Sequence, residues 1–331
     1  MRNVAVLGAE SLIGSELLRI LDERNFPASD IYLMSDSQTA ANSMIFKERY
    51  IELHADYEAF ADNVGLVFSC LDRVKSRAAA ERFKGKAVVI DCSRAFSFAP
   101  DVLKVIPEIN AGSITGDAAL IANPGPIVIE TLLPLYPLHK DFGLRSVHAV
   151  ALVAVSDFGK DALEELRYEC EYMAFDEPVE RAGDGFFPYT IAGNILPQIG
   201  DFVGQSITEE EATFTRELSS FLGTNEIRIG ITAALVPVRR GSCVVIHVGF
   251  EKELSPDDAA AVLKEATGVT FIEDAERYPM PESVVGKDEV FVGRLRKDEV
   301  LENGLSMWIA ADNLRKGSAL NAVQIAELLP A

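Results

Sequence analysis

The apolar residues of the first third of the chain fall into short runs separated by glycine turns and amphipathic stretches. Val4 to Leu7 is such a run, rich in β-branched residues, and predicts a buried strand. Gly8-Ala9-Glu10-Ser11-Leu12-Ile13-Gly14 follows it. Ile13, Leu17, Leu18 and Leu21 then form an apolar stripe at helical spacing, which predicts a helix to about Arg24. Further apolar runs predict strands at Ile31 to Met34, Val64 to Cys70, Ala87 to Asp91 and Ala119 to Ile121, with a helix from Ser76 to Phe83 between two of them. Strands alternating with helices imply a doubly wound parallel sheet, a Rossmann-type α/β domain.

The pattern then changes. Ser146 to Val155 reads as a long strand and Asp161 to Tyr172 as a charged amphipathic helix. Ile227 to Glu251 is a long β segment broken by Arg239-Arg240-Gly241, with apolar residues on both faces. Ser255-Pro256-Asp257-Asp258 starts a helix to Ala266, with serine as the cap and proline at the first helical position. Strands at Phe291 to Leu295 and Leu305 to Ala311 precede a last helix from about Asn313 to Leu328. This half reads as an α+β domain with long antiparallel strands. The expected division is residues 1–125 with 313–331 as one domain and 126–312 as the other.

Charge narrows the partners. Across 331 residues the formal net charge is −20, spread along the chain rather than blocked. Such a surface repels nucleic acid and anionic membrane, so neither is expected as a partner. No apolar run approaches transmembrane length, and the first is too short for a secretory leader. Cys70, Cys92, Cys170 and Cys243 show no metal or redox spacing, so no metal site is expected and the thiols read as reduced and cytoplasmic.

The place to look for chemistry is Ile121-Ala122-Asn123-Pro124-Gly125-Pro126-Ile127-Val128. It follows a predicted strand, where one domain hands over to the next. In open α/β sheets ligands bind at the carboxyl ends of strands. Yet this loop carries no nucleophile, acid or base, and no donor side chain beyond Asn123.

Motifs spread over the whole chain resemble those of the aspartate-semialdehyde dehydrogenase family. Val4 to Gly14 resembles its opening strand and glycine loop. Val88-Val89-Ile90-Asp91-Cys92-Ser93-Arg94-Ala95-Phe96 resembles its Val-Val-Ile-Asp-Asn-Ser-Ser-Ala-Phe, and Ile106-Pro107-Glu108-Ile109-Asn110 its Val-Pro-Glu-Val-Asn. Phe187-Pro188 with Ile191-Ala192-Gly193-Asn194-Ile195-Leu196-Pro197, and Asp312-Asn313-Leu314-Arg315-Lys316-Gly317-Ser318-Ala319-Leu320-Asn321, match two later motifs. The resemblance implies a Rossmann domain that binds NADP and a C-terminal α+β domain of the glyceraldehyde-phosphate dehydrogenase type. It also implies a homodimer joined through the second domain. The family reduces aspartyl phosphate through a cysteine thiolate and a nicotinamide hydride.

Where this chemistry is carried, the sequence departs from the family. Asn-Pro-Asn-Cys-Ser-Thr becomes Asn123-Pro124-Gly125-Pro126-Ile127-Val128, so Pro126 stands at the cysteine. Val153 stands at the supporting glutamine, Leu235 at the substrate-carboxylate arginine and Ser242 at the histidine base. A covalent mechanism needs a nucleophile with a base in reach, and these residues supply neither. A bacterial paralogue group of usg type resembles this chain. Arg240 keeps a family arginine and with it a residual anion site.

Other side chains are weak replacements. Cys243 adjoins Ser242 and on a strand points to the opposite face. His247 lies about 16 Å further along and also on the other face, so it reads as a packing or surface histidine. His139 and His148 have no evident acid or cysteine partner, and Cys92, at the end of its strand, reads as an inert buried thiol.

The cofactor loop is altered too. The resemblance implies contacts from Gly8, Ser11, Leu12, Ile13 and Gly14, with Ser35 and Asn313 completing the set. Ser11 replaces a glycine and crowds the pyrophosphate approach. Glu10 would repel an anion about 6 Å away by up to roughly 3 kcal/mol, about two decades in affinity. Asp36 and Ser37 stand where the family has an arginine-containing segment near the adenosine 2′-phosphate, and an acid there favours NAD over NADP, if either binds; Leu71-Asp72 replaces a family Gly-Gly. Weak binding of NADP or NAD, without preference for NADP, is expected. The leading expectation is a dimeric, catalytically inactive paralogue that binds a nucleotide, a small molecule in the interdomain crevice, or a partner. The alternative is an NAD(P)-dependent oxidoreductase acting on a semialdehyde or related substrate by altered chemistry.

Overall fold

The computed structural model describes residues 2–35, 43–57, 60–116, 118–175 and 185–330. The chain divides into two units, Met1–Gly125 with Ser318–Ala331, and Pro126–Gly317. The second unit therefore runs to Gly317 rather than to 312.

The first unit opens with β1 (Arg2–Leu7), α1 (Leu12–Glu23), β2 (Ala28–Met34), β3 (Ser43–Phe46) and β4 (Arg49–His54). It continues through β5 (Leu66–Ser69), α2 (Arg73–Phe83), β6 (Val88–Asp91), β7 (Leu103–Lys104), α3 (Pro107–Asn110) and β8 (Leu120–Ala122). The sheet order is β3-β4-β2-β1-β5-β6-β8-β7, parallel except where β3 meets β4. Alternate residues of β1 feed opposite faces, as a strand requires. Val4 and Val6 join a cluster with Leu17 and Ile20 of α1 and Leu320 and Val323 of the C-terminal helix (Leu320–Glu327). Ala5 and Leu7 join another with Ala79 and Phe83 of α2. Helices thus cover both faces. Leu17, Ile20 and Leu21 of α1 are essentially fully buried, each stabilising by about 1.5–3 kcal/mol. The hairpin of β3 and β4 is an addition to the elements read from the sequence. So is the earlier start of α2, where Asp72 Oδ1 accepts the amides of Val74 and Lys75, each at 2.9 Å.

The second unit begins with α4 (Pro126–Phe142), β9 (Leu144–Val153) and α5 (Lys160–Ala174). After the short β10 (Phe202–Gly204) and β11 (Ile207–Thr208) come α6 (Glu209–Leu222), β12 (Arg228–Leu235), β13 (Ser242–Phe250) and α7 (Pro256–Glu265). β14 (Val269–Phe271), α8 (Pro281–Val284), β15 (Val290–Lys297) and β16 (Gly304–Ala311) complete it. The sheet order is β12-β9-β13-β16-β15-β14. It is mixed rather than simply antiparallel, since β12 runs parallel to β9 and β14 parallel to β15. α4, α6 and α7 pack on the sheet, and α4 also packs on α6 and on α7. Val147, Ala149, Ala151 and Val153 are buried, whereas Val150 and Leu152 between them are half-buried.

The sequence pattern does not anticipate α4. It is apolar around most of its circumference and holds Pro134 and Pro137, so helical periodicity is masked. Its first residue is Pro126, where proline costs least because the first amide has no intrahelical acceptor. The loop expected at 121–128 is therefore cut to Asn123, Pro124 and Gly125, between the end of β8 and the start of α4.

Candidate functional site

Within the second unit, three of the positions singled out in the sequence meet at the ends of adjacent strands. Leu235 pairs with Val153 across β12 and β9. Ser242 opens β13, and its hydroxyl accepts the Ala154 amide at 3.1 Å. Val153, Leu235 and Ser242 are each only 1% exposed. Leu235 packs with Val155, Leu166, Phe187 and Leu196, an apolar environment that offers a carboxylate nothing. Pro126 is buried at the head of α4. A Cβ on Gly317 would stand 2.7 Å from the Pro126 Cβ and 3.1 Å from Glu130 Oε1, so a bare glycine is required there.

Glu130, one turn into α4, is a residue the sequence reading missed. It is fully buried, and neither carboxyl oxygen has a hydrogen-bond partner among the described residues. Burial, with like charge from Asp157 and Asp312, pushes its carboxyl well above the ordinary carboxylate range. Such an environment favours the protonated form of the acid. The signal was available, an acid inside the apolar run Ile127 to Leu133, but nothing local distinguishes it from a surface glutamate.

Arg240 and Asn313, two polar side chains singled out in the sequence, are engaged within the second unit. Arg240 pairs with fully buried Asp312 through both Nε and Nη2, each at 2.8 Å, and Asp312 also accepts the Gly286 amide. The arginine expected to hold a residual anion site is thus tied to a carboxylate. Asn313 Oδ1 accepts the Gly241 amide at 2.9 Å, and its Nδ2 donates to Ser156 Oγ at 3.0 Å. The Cys243 thiol lies with Val284, Ala310 and Trp308, away from Ser242, and burial pushes its pKa upward.

His247, read from the sequence as a packing or surface histidine, has an acid partner. Its Nδ1 lies 2.6 Å from Asp298 Oδ2 and 3.0 Å from Ser306 Oγ, and its ring is 6.3 Å from that of His148. Burial would raise the Asp298 carboxyl, but hydrogen bonds from Ser306, His247 and the Leu301 and Val300 amides outweigh it and hold the group low. Serine and aspartate both meet the same ring nitrogen. A serine nucleophile needs the nitrogen opposite the acid, so this is not a hydrolase triad. The sequence reading missed the pairing because Asp298 comes from a turn beyond β15.

In the first unit, Gly8 and Ala9 donate their amides to Met34 O at the end of β2, at 2.9 and 3.1 Å. Gly8 has φ +71°, and a Cβ at Gly14 would stand 2.3 Å from Gly8 O, so both need glycine. Ser11 caps α1, its hydroxyl accepting the Gly14 amide at 3.0 Å. The first-turn amides of Leu12 and Ile13, which a helix cannot satisfy within itself, lie in this loop. Glu10, expected to repel an anion at this loop, turns its carboxylate to the end of β2, where it accepts the Ser35 hydroxyl. Asp36 and Ser37 lie outside the described residues. Cys92 is buried, and a hydrogen bond with Cys70, with burial behind it, pushes its thiol well up, which suits an inert group. Asn123, the one donor in the 121–128 segment, donates to Ser318 O at 3.0 Å and accepts from Asn321 at 2.7 Å, tying the returning chain to β8.

Residues 3–116 match the NAD binding domain of semialdehyde dehydrogenase, and residues 135–316 its dimerisation domain. An aspartate-semialdehyde dehydrogenase of Aquifex aeolicus is 37% identical over 98% of this chain and 97% of its own length. One from Shewanella violacea is 35% identical over 99% and 97%. The crystal structure of aspartate semialdehyde dehydrogenase II from Vibrio cholerae superposes with a TM-score of 0.94 at 29% identity, covering 99% of this chain and 98% of that one. The chain belongs to the aspartate-semialdehyde dehydrogenase family.

Proposed function

We propose that this protein is a catalytically inactive member of that family, a usg-type paralogue that binds a nucleotide, another small metabolite or a protein partner. The observation that carries the reading is Pro126. It opens α4 with no side-chain nucleophile and no amide proton, at the position where the family motif puts cysteine. The positions of the supporting groups agree: Val153 and Leu235 are apolar and buried, and the Ser242 hydroxyl is taken up by a backbone amide. The same chain keeps the scaffold of its family, including the NAD(P)-binding domain, so what has been given up is the reaction rather than the fold. We assign the cytoplasm as its compartment, and among the described residues no helix is long and apolar enough to cross a membrane.

The cofactor reading is weak binding of NAD or NADP at the loop of Gly8, Ser11, Leu12, Ile13 and Gly14. The close approach that Gly8 and Gly14 permit and the α1 amides support it. A bound dinucleotide would bring hydride chemistry. This chain's own contribution in the first unit would be the loop and α1 amides at its phosphates, with Ser35 holding Glu10 at the end of β2. The assembly reading is a homodimer through the outer face of the six-stranded sheet.

Stepwise restoration tests the reading. Pro126→Cys alone lacks a base and an anchor for substrate, so NADPH formation from aspartate semialdehyde and phosphate should stay at background. Members of a nucleophile-base unit act together, and losing one costs several decades. Activity should emerge, if at all, when Val153→Gln, Leu235→Arg and Ser242→His are added. Full activity from Pro126→Cys alone would show that the supporting machinery is intact, and turnover by the wild-type chain would overturn the reading.

A further inference from the structure

Glu10 lies in the glycine loop, yet its carboxylate does not serve the start of α1. The first turn of α1 carries no acid, and its capping oxygen comes from Ser11. Glu10 instead reaches across to the end of β2, where its carboxylate accepts the Ser35 hydroxyl. Both ends of this link are fixed by backbone. The loop is tied to β2 through the Gly8 and Ala9 amides on Met34 O. Ser35 is tied to β4 through its own amide on His54 O at 2.9 Å. Ser35 is buried and Glu10 half-buried, so the carboxylate is held rather than free in solvent.

In a parallel open sheet with this opening, the pyrophosphate sits at the N-terminus of the first helix. The adenosine ribose then lies beyond the second strand, where a carboxylate accepts from its hydroxyls. That carboxylate usually belongs to the strand. Here a loop residue delivers it to the same place. A carboxylate only accepts hydrogen bonds, and so does a phosphate dianion. A free 2′-hydroxyl can donate to Glu10, whereas a 2′-phosphate meets a like charge with no proton between them. The Ser35 hydroxyl, a nearby donor among the described residues, is already spent on Glu10.

We propose that Glu10, positioned by Ser35, makes the first unit selective for adenine dinucleotides with a free ribose 2′-hydroxyl and turns away those with a 2′-phosphate. The proposal rests on the reading that the glycine loop binds a dinucleotide, and it makes NAD rather than NADP the ligand class.

Calorimetric titration of the full chain with NAD, NADP and ADP-ribose tests it. Wild type should bind NAD at least about tenfold more tightly than NADP, with the gap narrowing as salt screens the repulsion. Glu10→Gln, which keeps the shape and removes the charge, should close the gap chiefly by tightening NADP. Ser35→Ala should close part of it by loosening the carboxylate. Binding of NAD and ADP-ribose with a ratio that Glu10→Gln leaves unchanged would overturn the selectivity while leaving the dinucleotide reading standing. So would a wild-type preference for NADP. No heat from any of the three ligands, with a normal melting transition, would overturn both.

Discussion

A carboxylic acid without a hydrogen-bond partner among the described residues sits one helical turn from Pro126. Burial raises the Glu130 pKa above its usual 4.5, so the folded state holds a proton that the unfolded chain releases. For an acid with a raised folded pKa, stability is fullest below the unfolded value and declines as pH rises from there toward the folded one. Glu130→Gln keeps the volume and removes the ionisation. Its melting temperature should match wild type near pH 4 and exceed it near pH 8 by a few degrees, since about 1 kcal/mol corresponds to roughly 2–4 °C at this size. A variant that melts lower than wild type at alkaline pH would show that Glu130 is ionised and held by a partner. At this scale, sequence was informative where a side chain had been lost and uninformative where one had found a distant partner. Pro126 and Ser242 could be singled out by their place in a motif. The engagement of His247 with Asp298, and the turn of Glu10 toward Ser35, depend on segments brought together only by the sheets.

Whole elements were legible where one face is apolar and the other is not. β1, α1, β9 and α7 follow from periodicity and capping residues, and Ser255 does accept the Asp258 amide as its cap role requires. α4 was hidden by its all-round apolarity and internal prolines. α6 was hidden by polar residues, although Thr208 and Glu211 form a capping box that the sequence spells out. Glu211 is doubly used, since its Oε1 also accepts the Ala233 amide of β12 at 3.1 Å. Thr208→Ala should therefore cost about 1 kcal/mol by denaturant unfolding, the usual cost of a lost cap. Glu211→Ala should cost more, because a strand amide is left without its acceptor. Equal effects of the two would mean that the bond to β12 contributes nothing.

For the molecule as a whole, the assembly reading rests on the second unit, which matches a dimerisation domain over residues 135–316. Val150, Leu152, Val245 and Trp308 lie half-buried on the outer face of its sheet, more apolar area than a solvated face needs. Placing a charge there, as in Val245→Arg, should convert a dimer to a monomer by light scattering at micromolar concentration, with little change in the helices seen by circular dichroism. A wild-type monomer under those conditions would contradict the dimer. The doubly wound first sheet and the family were readable from strand-helix alternation and ordered motifs. The parallel pairing of β12 with β9 was not, because register and direction between distant strands leave no local trace.

The account stands or falls on whether the wild-type chain turns over the family's substrate. The purified protein should be incubated with aspartate semialdehyde, phosphate and NADP, then with NAD, while the reduced nicotinamide is followed by absorbance. The account predicts no rate above the protein-free background with either cofactor. Turnover that survives repurification away from host dehydrogenase, and that persists in proportion to this chain, would contradict it.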